Sequence, residues 1–190
     1  MPTRSPELET ELIRLCREGQ KQFYQPLVRA YEPEANRVAF AMLRDRDAAR
    51  DAVQEAFIKA YRALGRFELG RSFRPWFLQI LRNQCRDMLR RRKAGLDVER
   101  IDAVMAERLP GGFDPERDRR RTEAAEVLWQ ALGRISPDHR EVLVMKELQG
   151  LNYAEIAEAV AIPEGTVASR LFHARRALRE ALDAMGVVYP

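Results

Sequence analysis

The sequence predicts an all-α protein: two small helical domains joined by a flexible linker, the C-terminal one containing a helix-turn-helix. Three observations carry this. Apolar residues recur at three- and four-residue spacings along most of the chain, and no stretch alternates as a half-buried strand would. Between Ala94 and Arg121 that period lapses into a charge-dominated segment broken by Pro110-Gly111-Gly112 and Asp114-Pro115. From Tyr153 to Arg179 the pattern is that of two helices with a tight turn between them. The domains are therefore expected at 1–94 and 121–190, with the linker at 95–120.

Composition bounds the function classes. The 190 residues are 46% hydrophobic and 33% charged, enough for a real core beneath exposed amphipathic helices. The net charge of +4 is mildly basic, so the placement of charge says more than its sum. Cys16 and Cys85 lie far apart with no metal-ligand spacing and read as reduced thiols. No apolar run approaches the ~18 residues of a membrane span, and MPTRSPELE lacks a signal-peptide core. A soluble, cytoplasmic protein without membrane insertion is expected.

Taken in order, Ser5-Pro6 starts a helix with Leu8, Leu12, Ile13 and Cys16 as its stripe, and Gly19 ends it. Gln20–Tyr31 and Pro33–Leu43 read as two further helices split near Pro33, burying Phe23, Leu27, Val28 and Tyr31, then Val38, Ala41 and Met42. Asp47–Leu64 buries Ala49, Val53, Phe57, Ala60 and Leu64. Asp51, Gln54, Glu55, Ile58 and Arg62 take the other side. An isoleucine ringed by charges and an amide suits a protein-binding face, and equally an ordinary solvated one.

Gly65–Ser72 is a loop bearing Phe67 and Arg71, and Ser72 can cap the helix Phe73–Lys93. That helix has a core stripe of Phe73, Phe77, Ile80, Leu81 and Met88. Gln79, Arg82, Asn83, Arg86 and Arg90 project from its other side, with Trp76 at the edge. Aromatic rings beside cations suit unstacked bases, the rings stacking while the cations hold phosphate. The bland reading is that Trp76 and Phe67 are satellite core and the arginines are solvated. Within the linker, a helix over Val98–Leu109 is compatible with the pattern.

Thr122–Ile135 resumes the helical period with Ala125, Leu128, Trp129 and Leu132. Ser136-Pro137 opens a helix carrying Val142, Leu143, Met145 and Leu148, which Gly150 ends. Asn152 with Glu155 forms a capping-box start for a helix whose inner stripe is Ile156, Ala157 and Val160. Ala161-Ile162 makes the turn and Pro163 takes the first position of the next helix. That helix buries Val167, Leu171, Ala174, Leu178 and Leu182. Ser169, Phe172, His173 and Arg176 point the other way, flanked by Arg175 and Arg179. A helix offering polar, basic and aromatic groups outward is what a major-groove reader needs. An αα-hairpin with a solvated basic face would show the same pattern.

No nucleotide-binding glycine loop, zinc-protease motif or Cys/His cluster is present, and no catalytic constellation is assembled by spacing. The chain is not expected to be an enzyme, and no cofactor or metal is implied.

Four stretches in this order carry a resemblance: DAARDAVQEAFIKAYRAL, RFELGRSFRPWFLQILRNQCRDMLRRR, LGRISPDHREVLVMKELQGLNYAEIAEAVAIPEGTVASRL and FHARRAL. Over nearly its whole length the chain resembles bacterial sigma factors of the sigma-70 family, in the small extracytoplasmic-function (ECF) group. The resemblance implies an RNA polymerase sigma factor that binds core polymerase and directs promoter-specific initiation. It implies that Asp51, Gln54, Glu55 and Ile58 dock on the clamp coiled coil of core RNA polymerase. It implies that Phe67, Arg71, Trp76, Arg82, Asn83 and Arg86 recognise and open the −10 region of promoter DNA, with a flipped base held in the loop. It implies that the C-terminal domain touches the polymerase flap and that Ser169, Arg170, Phe172, His173, Arg175, Arg176 and Arg179 fall at −35 contact positions. An anti-sigma factor is the further partner it implies. Two residues depart from the family pattern: Ala161 where glycine is common at the turn, and Ala168 where a basic residue often precedes Ser169. A left-handed alanine would cost about 1 kcal/mol. The alternative to a sigma factor is a self-sufficient helix-turn-helix regulator, which should dimerise on a two-fold site.

Overall fold

The computed structural model describes residues 5–94 and 115–187, and every regular element among them is helical. The chain divides into two compact units, Met1–Ile101 and Asp102–Pro190. Most of the expected linker, with its admissible helix over Val98–Leu109, lies outside the described residues.

In the first unit, α1 (Pro6–Arg17) starts where Ser5 accepts a hydrogen bond from the Leu8 N–H and Pro6 fills the first turn. The chain then turns through Gly19 at φ 88°. The expected break at Pro33 is absent: α2 runs unbroken over Tyr24–Leu43 with Pro33 inside it. Burial of Tyr31, Glu34, Ala35 and Val38 on either side of the proline holds the helix together across the missing N–H. Arg44, left-handed at φ 58°, ends it.

Asp45 caps α3 (Arg46–Ala63) by accepting from the Ala48 N–H, and Arg92 from the far end of the domain bonds the same carboxylate at 3.0 Å. The predicted stripe of Ala49, Val53, Phe57, Ala60 and Leu64 is buried throughout. A 3-10 turn over Leu64–Arg66 follows. Ser72 takes the N-cap position of α4 (Phe73–Lys93), but its side chain makes no capping bond. Helices α2, α3 and α4 pack together around an aromatic column. Phe57 stacks on Phe77 with ring centroids 4.3 Å apart, and Phe73 lies parallel to Phe77 at 5.7 Å. Glu34 and Arg74 tie α2 to α4 with Nε at 3.0 Å from Oε1. On α4 the core also takes in Leu78 and Cys85, whereas Ile80 and Met88 are only half-buried. Both cysteines are free and buried, and burial pushes the Cys16 thiol pKa up.

In the second unit, α5 spans Pro115–Arg134, starting ahead of the predicted Thr122. Proline is accommodated in a first turn, and the Glu- and Arg-rich residues after it are good helix formers that need no apolar period to be helical. Ser136 caps α6 (Pro137–Leu143), accepting from the His139 N–H. The chain continues through a π turn over Val144–Leu148, closed by the Gln149 N–H on the Val144 carbonyl at 3.1 Å. The extra residue in that turn shifts the helical register, so Val144 is buried and Leu148, expected inside, is exposed. Leu128 on α5 is also exposed, and Ala131 replaces it in the core.

The capping box of α7 (Tyr153–Val160) is complete: Asn152 accepts from the Glu155 N–H at 2.8 Å and the Glu155 carboxylate takes the Asn152 N–H at 2.7 Å. Ala161 ends the helix in the left-handed region at φ 54°, ψ 47°. Pro163 is the N-cap of α8 (Glu164–Asp183), one place ahead of its predicted first helical position. Its extended ψ of 147° keeps it outside the helix while its carbonyl accepts from Thr166 and Val167. Val167, Leu171, Ala174 and Leu182 enter the core with Ile156, Val142 and Met145, and Leu178 packs against its edge.

Candidate nucleic-acid and polymerase interfaces

Helix α8 displays the predicted outer face. Ser169, Phe172, His173, Arg175, Arg176 and Arg179 are exposed, and Arg170 is half-buried. Phe172 is 63% exposed, an unusual cost for an aromatic ring in water. Its ring meets His173 edge-on, with centroids 5.4 Å apart. The Ser169 hydroxyl donates to the Thr166 carbonyl at 3.0 Å, which leaves its lone pairs outward as acceptors. Arg175 reaches past α7 to Glu147 in the π turn, Nη2 to Oε1 at 3.0 Å. That hydrogen bond pushes the guanidinium pKa further up and couples α8 to the π turn. Arg176 pairs loosely with Glu180 one turn on, at 3.5 Å. Both pairs are surface pairs and yield readily to a phosphate. The N-terminal turn of α8 adds Glu164 and Thr166, both exposed. The apolar period does not mark them; their place at the start of a reader helix does. The Ala168 side is also exposed.

In the loop and α4, Phe67 takes the satellite-core place that the sequence left open, and Arg82 departs from the expected outward projection. The Phe67 ring is only 5% exposed and sits against Trp76 at 4.9 Å and Phe73 at 6.1 Å. Arg82, expected to project from the basic face, is likewise 5% exposed and engaged within the unit. It flanks Leu78, Leu81 and Cys85 on a helix whose buried stripe is wider than the predicted one. Asn83 is exposed, while Trp76 and Arg86 are half-buried. Arg71 is exposed and pairs with Glu68 at 2.6 Å, across a turn whose Gly70 has φ 90°. The last turn of α4 holds Arg90, Arg91, Arg92 and Lys93, cations well placed at a helix C-terminus.

On α3, Asp51, Gln54 and Ile58 are exposed and Glu55 half-buried, on one side of the helix. Ile58 is 37% exposed, so the isoleucine among polar groups stands as predicted. Lys59 beside it, which the sequence pattern did not single out, reaches Gln84 on α4 at 2.5 Å. No cluster of metal-ligating side chains is formed among the described residues. None of their helices is long and apolar enough to cross a membrane.

Two helical units, one ending in a helix-turn-helix whose second helix exposes basic and aromatic groups, are what a protein that contacts duplex DNA needs. Comparison with known proteins narrows this. The Sigma-70 region 2 family matches residues 27–95 and the Sigma-70, region 4 family matches residues 125–178. RNA polymerase sigma-H factor of Pseudomonas aeruginosa is 34% identical over 94% of this chain and 96% of its own. ECF RNA polymerase sigma-E factor of Escherichia coli K12 is 31% identical over 88% of this chain and 90% of its own. Among solved structures, the sigma factor RpoE in complex with the anti-sigma factor NepR from Bartonella quintana superposes with a TM-score of 0.67 at 26% identity. That match covers 84% of this chain and 96% of the other. The chain belongs to the sigma-70 family of RNA polymerase sigma factors, in its extracytoplasmic-function group. It is a promoter-specificity subunit and acts with core RNA polymerase at transcription initiation.

Proposed function

We propose that the two units divide promoter recognition, with residues 1–94 binding core polymerase and opening the −10 region and residues 121–190 reading the −35 element. The observation that carries this is the α8 face: Ser169, Phe172, His173 and Arg176 stand exposed together, opposite the buried Val167, Leu171 and Ala174. Thr166 and Arg170, Arg175 and Arg179 border them. Cations take phosphates and set register, while Ser169, His173 and Arg176 are the groups able to meet base edges. On α3, Asp51, Gln54, Glu55 and Ile58 are the polymerase contacts, on the clamp coiled coil. The flap contact falls to the second unit.

In the −10 element, Trp76, Asn83, Arg86 and Arg71 act at the surface. Phe67 and Arg82 act from beneath it, Phe67 by backing Trp76 and Arg82 from the buried side of α4. Opening costs a few kcal/mol of unstacking per base, offset by stacking worth about 1–3 kcal/mol per base and by phosphate contacts. None of this calls for a catalytic residue or a cofactor. The chain works in the cytoplasm, where polymerase is. The anti-sigma factor held by the Bartonella relative supports a partner of that kind for this chain.

The test is reconstitution. Purified chain, core polymerase and genomic fragments are combined, and run-off transcripts are sequenced. Transcripts starting downstream of a shared pair of motifs, and only when the chain is added, are expected. Tight, specific DNA binding by the chain alone with no such transcripts would sink the proposal in favour of a self-sufficient regulator.

A further inference from the structure

The loop between α3 and α4 is fixed from outside the helices it connects. Arg17, in the last turn of α1, sends its guanidinium across to two backbone carbonyls. Nε donates to the Leu64 carbonyl at 2.8 Å, and Nη2 donates to the Phe67 carbonyl. Leu64 is where α3 ends, and its carbonyl also accepts the Phe67 N–H at 3.1 Å. Phe67 is where the chain leaves the 3-10 turn, in an extended conformation at φ −69°, ψ 133°. Its ring packs inward on Trp76 and Phe73. Phe67 is thus held on both sides, by its ring on α4 and by its carbonyl on α1. Residues 68–72 beyond it are exposed, and the next buried residue is Phe73 on α4.

We infer that Arg17 is a positioning residue for promoter opening: it clamps the start of the 67–72 loop so that the loop stands ready beside Trp76. This rests on the proposed −10 role of that loop. The planar fork suits the task, because a guanidinium donates along fixed directions to two acceptors at once, whereas an ammonium is a point charge. Ordering the loop before DNA arrives moves the entropy of fixing it out of the opening step. Arg17 itself needs no contact with DNA.

The experiment uses holoenzyme made with Arg17→Gln, Arg17→Lys and Trp76→Ala chains. It reads core affinity, thermal midpoint of the free chain, −10 base preference, and open-complex formation on duplex and on pre-melted templates. Arg17→Gln is expected to lower open-complex formation on duplex about tenfold, as the entropy of fixing the loop returns to the opening step. It should broaden −10 preference, spare core affinity, and recover on the pre-melted template. Arg17→Lys should remain defective. Full activity of Arg17→Lys would overturn the clamp, since charge alone would then suffice. A fall in core affinity or thermal midpoint that accounts for the whole loss of opening would overturn it in favour of a plain folding role. Where Trp76→Ala alters −10 preference and Arg17→Gln does not, the clamp alone is wrong. Where neither changes it, the −10 assignment fails and takes the clamp with it.

Discussion

At Ala161 a single methyl group sits in a conformation that alanine avoids. The residue ends α7 at φ 54°, ψ 47°, and it is solvent-exposed. A Cβ in the left-handed region costs roughly 1–2 kcal/mol, and here no side-chain packing repays it. Ala161→Gly is therefore expected to stabilise the second unit by about 1 kcal/mol, read as a rise of a few degrees in its thermal midpoint. An unchanged or lowered midpoint would show that glycine's greater freedom in the unfolded chain cancels the relief. Arg44 shares the conformation at φ 58° but not the prediction. Its guanidinium lies over the Phe40 ring, 4.8 Å from the centroid, so a glycine there would lose packing as well as strain. Phe67 and Arg82 teach the complementary lesson. For Phe67 the sequence left surface chemistry and satellite core both open, and for Arg82 it pointed outward, because an aromatic in a glycine-rich loop and an arginine among arginines carry no mark of burial. Only the wide contact face of α4 puts them inside.

Among the elements, α2 and α7 show how far local signals reach. The capping box of α7 was legible because both of its bonds lie within four residues. Asn152→Ala removes the side-chain bond and leaves only the reciprocal one from the backbone N–H, and should cost the second unit about 1 kcal/mol in denaturant titration. Loss of less than a few tenths would mean that packing on α8 alone holds the helix. The continuity of α2 was not legible, because proline argues locally for a break while the packing that overrides it comes from α3 and α4. An interior proline costs up to about 3 kcal/mol against alanine. Pro33→Ala should accordingly raise the stability of the first unit by about 1–3 kcal/mol, given that Pro33 is exposed and Glu34 keeps its bond to Arg74. A destabilised variant would mean that the backbone geometry proline imposes is needed to bring Glu34 onto Arg74. The π turn was illegible for a different reason: no residue type announces an i→i+5 bond, and its effect is a register shift felt only at Val144 and Leu148.

For the molecule as a whole, the sequence separated surfaces well where polar and apolar faces fall at the helical period. On α3 and α8 each proposed contact except the half-buried Glu55 and Arg170 is exposed as the spacing predicts. It separated them poorly on α4, where burial extends beyond a single stripe. The proposed polymerase and −35 faces lie in different units. That separation makes a prediction about independence. Arg176→Ala should weaken promoter-specific transcription about tenfold while leaving core affinity within about twofold, and should reduce the salt slope of promoter binding by about 1 if the lost contact is to phosphate. Asp51→Ala with Glu55→Ala should do the reverse, lowering core affinity while transcription recovers at saturating chain concentration. Because the two proposed sites lie in different units, the combined variant should show the product of the two effects at limiting chain. The check is a titration of each variant against core polymerase with promoter transcripts counted at every concentration. Loss of core affinity in Arg176→Ala would place that arginine on polymerase instead of DNA. A combined defect far smaller than the product would mean that binding and reading are a single step, and the division of labour between the two units would have to be abandoned.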